Sequence, residues 1–304
     1  ELRRATHDTD GHSLPGLGQY FTHHMPEAMA ERFMNAVRHA KEIGECAELE
    51  YEVPDIGGMH KHYEARLATM PDGGLLCLVR DITERKEAER SIHRLAYYDT
   101  LTGLPNRLLF AERLALEIER TRRRESRLAV LFLDLDGFKN ANDTLGHGAG
   151  DLLLQWVADR LRTSVRTADI VARDANAEAE VELARLGGDE FTLLVPELND
   201  PENALAVAYR IHESMRRPFL IDGREVVLTA SIGIAVYPDD GADVDTLLKH
   251  ADTAMYHAKD LGRDNCQFYS ASLTREAARR LEMDSSLRQA LEREEFTLVY
   301  QPQL

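Results

Sequence analysis

A chain of 304 residues, 43% of them hydrophobic, is long enough for two domains with a core each. Its net charge of -16 excludes a broad nucleic-acid surface, because counterion release needs clustered Lys and Arg, so any anionic ligand must meet local positive charge. Three scattered cysteines, Cys46, Cys77 and Cys266, form no CxxC pair and predict reduced, packed thiols in a cytoplasmic protein. The longest apolar runs, such as Leu128 to Leu133, are too short to span a bilayer and no signal peptide opens the chain, which predicts no membrane contact from this fragment and leaves open a membrane segment outside it.

Residues 1 to about 45 begin with a polar, Gly- and His-containing segment, then give a predicted helix from Pro26 to about Glu42 with Met29, Phe33, Val37 and Ala40 on one face. Strands are predicted at Ala47 to Val53, His62 to Met70 and Leu75 to Ile82, the last two joined by the turn sequence Pro71-Asp72-Gly73-Gly74. His7, His12, His23, His24, His60 and His62 lack firm metal spacing and read as surface residues, with haem or metal ligation as the alternative. A helix and three antiparallel strands ending in Arg80-Asp81-Ile82-Thr83-Glu84-Arg85-Lys86 resemble the second half of a PAS sensor domain, over roughly residues 16 to 86. The strands that open a PAS fold are not evident before Pro26, and the PAS ligand is unknown. The resemblance implies a PAS-like antiparallel sheet within 1–82 and a signalling helix over 83–97. Thr83 is a candidate N-cap of that helix, and Ala88, Ile92, Leu95 and Ala96 form a narrow apolar stripe along it. The stripe either seeds a two-helix contact between protomers or lies on its own domain.

From Asp99 onward helix and strand alternate. Helices are predicted from Pro105 to about Arg124, about Gly150 to Val165, Pro201 to Arg217 and Asp243 to Leu261. Strands are predicted at Leu128 to Leu133, around Ile170 to Ala172, Val181 to Leu186, Phe191 to Val195, Val226 to Tyr237 and near Gln267 to Tyr269. This order predicts an α+β domain over 98–270, an antiparallel or mixed sheet with helices packed on one side.

Two of these strands end in acids. One is followed by Gly187-Gly188-Asp189-Glu190-Phe191, the other by Asp134-Leu135-Asp136-Gly137-Phe138-Lys139-Asn140-Ala141-Asn142-Asp143. Carboxylates at two strand ends with a lysine nearby suit a divalent cation carrying a phosphate substrate, since hard oxygen ligands hold magnesium and leave positions for phosphate oxygens. Asp136 and Asp143 read as turn or capping residues. No GxxxxGK[ST] phosphate loop occurs.

The acid blocks, with Asp99-Thr100-Leu101-Thr102-Gly103-Leu104-Pro105-Asn106-Arg107, Gly146-His147-Gly148-Ala149-Gly150-Asp151, Ala230-Ser231-Ile232-Gly233-Ile234-Ala235 and Ala258-Lys259-Asp260-Leu261-Gly262-Arg263, are similar to the ordered motifs of the GGDEF domain of diguanylate cyclases. The resemblance implies a cyclase-like palm with a ferredoxin-like βαββαβ core. It implies condensation of two GTP into cyclic di-GMP with release of pyrophosphate, and, since one domain holds one GTP, a homodimer. It implies Mg2+ (or Mn2+) on Asp134, the Leu135 carbonyl and Asp189, with Asp189 helping to deprotonate the attacking hydroxyl and Glu190 acting on a second metal or as a base. Gly187 and Gly188 would let the backbone approach the nucleotide. Lys139, Lys259 and Arg263 would bind the β and γ phosphates, although Lys259 and Arg263 near a helix end also suit the helix dipole. Asn142, His147 and Asp151 would surround guanine, with loop shaping as the alternative for His147.

Many members of the family bind cyclic di-GMP as inhibitor at Arg-x-x-Asp, five residues before the glycines. Here Arg166-Thr167-Ala168-Asp169 has those letters, but an acidic, Ala-rich excess at about 174–184 intervenes and predicts a protruding loop. Residues 271–304 read as a linker and, from about Ser285 to Leu304, resemble the opening of an EAL phosphodiesterase domain; that domain's metal-binding acids are absent from the sequence, so hydrolysis of cyclic di-GMP by this chain is not expected. The natural protein is expected to be longer at both ends.

Overall fold

The computed structural model describes residues 27–43, 46–54, 60–71, 75–172, 181–198, 200–221, 223–275, 283, 289–291, 293 and 295, with backbone alone at 27, 28, 30, 43, 54, 75 and 166–172. The chain divides into two compact units, Glu1–His93 and Arg94–Leu304.

In the first unit, helix α1 (Glu27–Ile43) packs on an antiparallel sheet of β1 (Ala47–Pro54), β2 (His60–Thr69) and β3 (Leu75–Asp81), in the order β1-β2-β3. Phe33 and Ala40, flanked by Met29, Ala36 and Val37, recur at helical spacing and meet Leu49, Tyr51, Ala65 and Leu67 from one face of the sheet. The opposite face carries Glu48, Glu50, Glu64 and Arg66, as a period of two requires. Residues 72–74, where the tight turn is predicted, lie outside the described residues, as do His7, His12, His23 and His24. His60 pairs with Glu52 at 2.8 Å. Helix α2 (Thr83–Tyr97) buries none of its residues, and its Ile92 and Leu95 are exposed. Thr83 is not its N-cap. The Ile82 carbonyl accepts the first helical bond from Lys86 N, the Asp81 carboxylate accepts from Thr83 N, and the Thr83 hydroxyl turns to His62 N at 2.9 Å.

The second unit is ordered α3 (Arg107–Arg124), β4 (Arg127–Asp136), α4 (Phe138–Leu145), α5 (His147–Ala172), β5 (Glu182–Gly187), β6 (Glu190–Leu198), α6 (Pro201–Met215), β7 (Phe219–Ile221), β8 (Arg224–Val226), β9 (Thr229–Tyr237), α7 (Val244–Asp260) and β10 (Cys266–Phe268). The main sheet runs β10-β9-β4-β6-β5, antiparallel except where β10 joins β9. Within it β4, α5, β5, β6, α6 and β9 form the βαββαβ core. Successive residues of β4 feed opposite faces. Ala129, Leu131, Leu133 and Leu135 join Leu153, Val157, Leu161, Ala208 and Ile211 of α5 and α6; Leu128, Val130 and Phe132 join Phe110, Leu114, Leu247 and Met255 of α3 and α7. The expectation of helices on one side is therefore corrected, and the unbroken apolar run of β4 is explained by burial on both faces. Helix α7 lies so close to β9 that a Cβ on Gly233 would stand 2.0 Å from the Ala251 carbonyl oxygen and 2.2 Å from Met255 N.

Other boundaries shift for local reasons. Helix α3 starts after the predicted Pro105, because the Asn106 side chain caps it by accepting from Leu109 N while the Pro105 carbonyl accepts from Arg185 N. Residues 170–172, predicted as strand, continue α5. The predicted strand from Val226 to Tyr237 is split, its first residue closing the β7–β8 hairpin and β9 beginning at Thr229. Helix α4 was not anticipated from the polar segment after β4. Among the described residues no helix is long and apolar enough to cross a membrane. All three cysteines are free, and burial raises the thiols of Cys77 and Cys266.

Candidate active site

The acids meet because β4 and β6 pair in register. Asp134 stands opposite Glu190 on one side and Ser231 of β9 on the other, and Leu135 N donates to the Asp189 carbonyl at 3.3 Å. The β5–β6 turn between them needs residues without side chains, since Gly187 and Gly188 have φ of 146° and 53°. That requirement arises in the backbone itself, before any nucleotide approaches. Arg185 holds the turn from within. Its side chain is 8% exposed, its Nε and a terminal nitrogen donate to the Gly188 carbonyl at 3.1 and 2.7 Å, and its other terminal nitrogen donates to Asp99 at 2.8 Å. Asp99 also accepts from the Thr102 N–H and hydroxyl. Burial pushes the Asp99 carboxyl up, but these donors outweigh it and leave it below its ordinary value.

Negative charge exceeds what its neighbours offset. Burial raises Asp134; the hydrogen bond from Lys259 opposes this, and the nearby Asp189 and Asp136 charges add to it. Burial likewise raises Glu190, reinforced by Asp252, Asp134 and Asp189 and opposed by Arg107. Asp134 is 8% exposed, so the cluster is not a solvated surface patch. Lys259, in the last turn of α7, reaches Asp134 Oδ2 at 2.7 Å. Asp252 precedes it by seven residues, two helical turns, and so shares its face. Hard carboxylate oxygens with surplus charge fit Mg2+ or Mn2+. Among the described residues no three His, Cys, Asp or Glu side chains gather to hold a metal.

Asp136 is neither a turn nor a cap. It accepts from the hydroxyls of Thr229 and Ser231 at 2.8 and 2.7 Å and from Asp264 N at 3.1 Å, and Arg263 Nε lies 4.0 Å from its Oδ1. A second group forms on α4 and α5. Asn142 Nδ2 lies 3.2 Å from His147 Nδ1, Asn142 Oδ1 is buried without a partner, and Asp151 follows His147 one turn along α5, exposed. Lys139 is exposed on the first turn of α4, and Asp143 is exposed on its last. Arg166 and Asp169 fall in the final turns of α5, where their side chains lie outside the described residues; of the loop expected at about 174–184, residues 174–180 lie outside them too, while Glu182, Leu183 and Ala184 belong to β5 instead. Residues 296–304 of the EAL-like stretch lie outside them too. Sequence reasoning missed Arg185, Arg107 and Asp252 as parts of the site. Two left a signal: Arg107 ends the Asp99–Arg107 motif block, and Asp252 stands two turns from Lys259.

Residues 11–87 match the PAS fold, and residues 96–265 match the family described as diguanylate cyclase, GGDEF domain. The chain is 45% identical over 222 residues to the bifunctional diguanylate cyclase/cyclic di-GMP phosphodiesterase MucR of Pseudomonas aeruginosa, covering 73% of this chain and 30% of MucR. It is 41% identical to the cyclic di-GMP phosphodiesterase NbdA of the same organism, covering 73% of this chain and 27% of NbdA. It therefore spans less than a third of these relatives. A solved structure of the GGDEF domain of TpbB, also from P. aeruginosa, superposes with a TM-score of 0.54 at 38% identity, covering 60% of this chain and 99% of that one. On the family match across more than half its length, the chain belongs to the GGDEF-domain diguanylate cyclase family.

Proposed function

We propose that this chain is an active diguanylate cyclase, a homodimer dependent on Mg2+ or Mn2+ that condenses two GTP into cyclic di-GMP and two pyrophosphates under control of its PAS-like part. One observation carries the reading: Lys259 is paired to Asp134 inside an acid cluster that holds more negative charge than its cations offset. Such a site is prepared for a cation arriving with a polyphosphate. The bound metal would polarise the α-phosphate and neutralise the phosphate charge. Asp134, the Leu135 carbonyl and Asp189 would hold it, and Lys139, Lys259 and Arg263 would bind the β and γ phosphates. Asn142, His147 and Asp151 would take guanine, a carboxylate accepting from its N1 and N2 hydrogens. The ribose 3′-hydroxyl of one GTP attacks the α-phosphate of the other, its proton passing to the Asp189 or Glu190 carboxylate as pyrophosphate departs with the bonding electrons. Repetition in the opposite sense closes the ring, which is why two domains must face each other.

NbdA, at 41% identity, carries the name of a phosphodiesterase, and this favours a second reading. On it the chain is a silent GTP-binding module that controls a downstream EAL domain. Incubation with magnesium and GTP, followed by chromatographic identification of the product, separates the two. Cyclic di-GMP formation supports the first reading and GTP binding without turnover the second; absence of GTP binding overturns both.

A further inference from the structure

The loop that carries Arg263 has an unfavourable backbone conformation and meets α6 through Asp264. Arg263 and Asp264 have φ of 64° and 49°, a left-handed conformation that is unfavourable for a residue with a side chain. Such backbone persists where its surroundings over-determine it. The Asp264 N–H donates to Asp136 Oδ2, which the Thr229 and Ser231 hydroxyls hold in turn. The Asp264 carboxylate then meets α6, with Oδ1 3.2 Å from His212 Nδ1 and Oδ2 3.1 Å from the Arg216 guanidinium. A carboxylate only accepts, so the imidazole proton in this contact sits on Nδ1.

The two partners on α6 differ in weight. Arg216 is half exposed, and an exposed pair of this kind contributes little. His212 is 4% exposed on the apolar face of α6 with Ala204, Ala208, Ile211 and Met215, and its Nε2 is buried without a hydrogen-bond partner. An aliphatic residue would fill that place at no cost in unpaired polar atoms. What the histidine adds is one directed bond to the loop. Arg263 itself is mostly exposed, so the loop rather than packing sets where its guanidinium points.

Resting on the nucleotide reading above, we propose that His212 is a positioning residue: through Asp264 it orients Arg263 toward the terminal phosphates of GTP and thereby sets affinity for the triphosphate. The interaction would be present in the ground and transition states alike, so its loss raises KM more than it lowers kcat.

The test is titration calorimetry of the full chain with magnesium GTP and with GMP, on the wild type, His212→Leu and His212→Asn, alongside steady-state kinetics. Leucine removes the bond at similar volume, while the asparagine amide stands where Nδ1 stood. His212→Leu is expected to weaken GTP binding by about tenfold and raise KM to match, with kcat and GMP affinity within about threefold of wild type, and His212→Asn to restore most of the loss. Equal loss of GTP and GMP with a lowered melting point, or wild-type GTP affinity in His212→Leu, overturns the inference. Should the leucine variant not fold, Asp264→Gly, which removes the acceptor and tolerates left-handed backbone, is read by the same selective loss of GTP over GMP. A wild type that binds no GTP overturns the nucleotide reading and this inference with it, a result distinct from a wild type that binds and a variant that is unaffected.

Discussion

Glu190 and Arg185 show how single residues divide between chemistry and support. Burial and neighbouring acids raise the Glu190 carboxyl, so its ionised form is disfavoured in the fold. The folded protein then gains from a protonated Glu190 only below its ordinary range, and that contribution is lost as pH rises through the raised value. At neutral pH Glu190→Gln should therefore raise the melting temperature while cutting synthesis by about 10²–10⁴-fold, with the thermal gain vanishing in acid; calorimetry across pH checks it. Arg185 has the opposite balance. Removing one partner of a buried ion pair costs about 3–5 kcal/mol, so Arg185→Ala should lower stability by that order in urea titration and displace the hairpin that bears Asp189. Asp99, held below its ordinary value, contributes stability that is present above the unfolded pKa and lost as pH falls through the folded one. The wild type should thus lose stability at low pH more steeply than Asp99→Asn. Asp189 and Glu190 were legible as letters beside two glycines. Arg185 was not, because a lone arginine after an alanine reveals nothing of a partner 86 positions away.

At the level of elements, the decisive packing is α7 on β9. A methyl at Gly233 cannot fit 2.0 Å from a backbone carbonyl, and backbone cannot yield as a side-chain tip can. Gly233→Ala should cost about 1–3 kcal/mol or more and shift α7, so that Lys259 leaves Asp134 and synthesis falls with stability. Stability by denaturant titration and product formation should fall together; a variant stable and active as wild type would show that α7 does not set the site. The alternation of helix and strand was legible from periodicity. The short elements α4, β7 and β8 were not, since their residues lack a run long enough to show a period. The extent of α5 was misread because Ile170 to Ala172 is apolar in either conformation, and only length and continuity with the preceding turns decide.

For the whole molecule, the proposed reaction joins two bound nucleotides and so calls for two copies of the domain. Helix α2 offers Ile92 and Leu95 to solvent, 67% and 64% exposed, with none of its residues buried. Ile92→Asp with Leu95→Asp should leave the melting point nearly unchanged, because neither side chain is buried among the described residues, yet lower the dimer fraction in sedimentation and synthesis with it. Unchanged sedimentation would move the dimer contact elsewhere. What the sequence alone determined was the family, the fold class and the acids, because strand periodicity, turn glycines and motif order are local properties carried by neighbouring residues. What the tertiary structure decided was the second helical layer, the pairing of Lys259 with Asp134, and the contacts of Arg185 and His212. Those depend on which distant side chains the sheet register and helix packing bring within a few ångströms, and no local pattern encodes that distance.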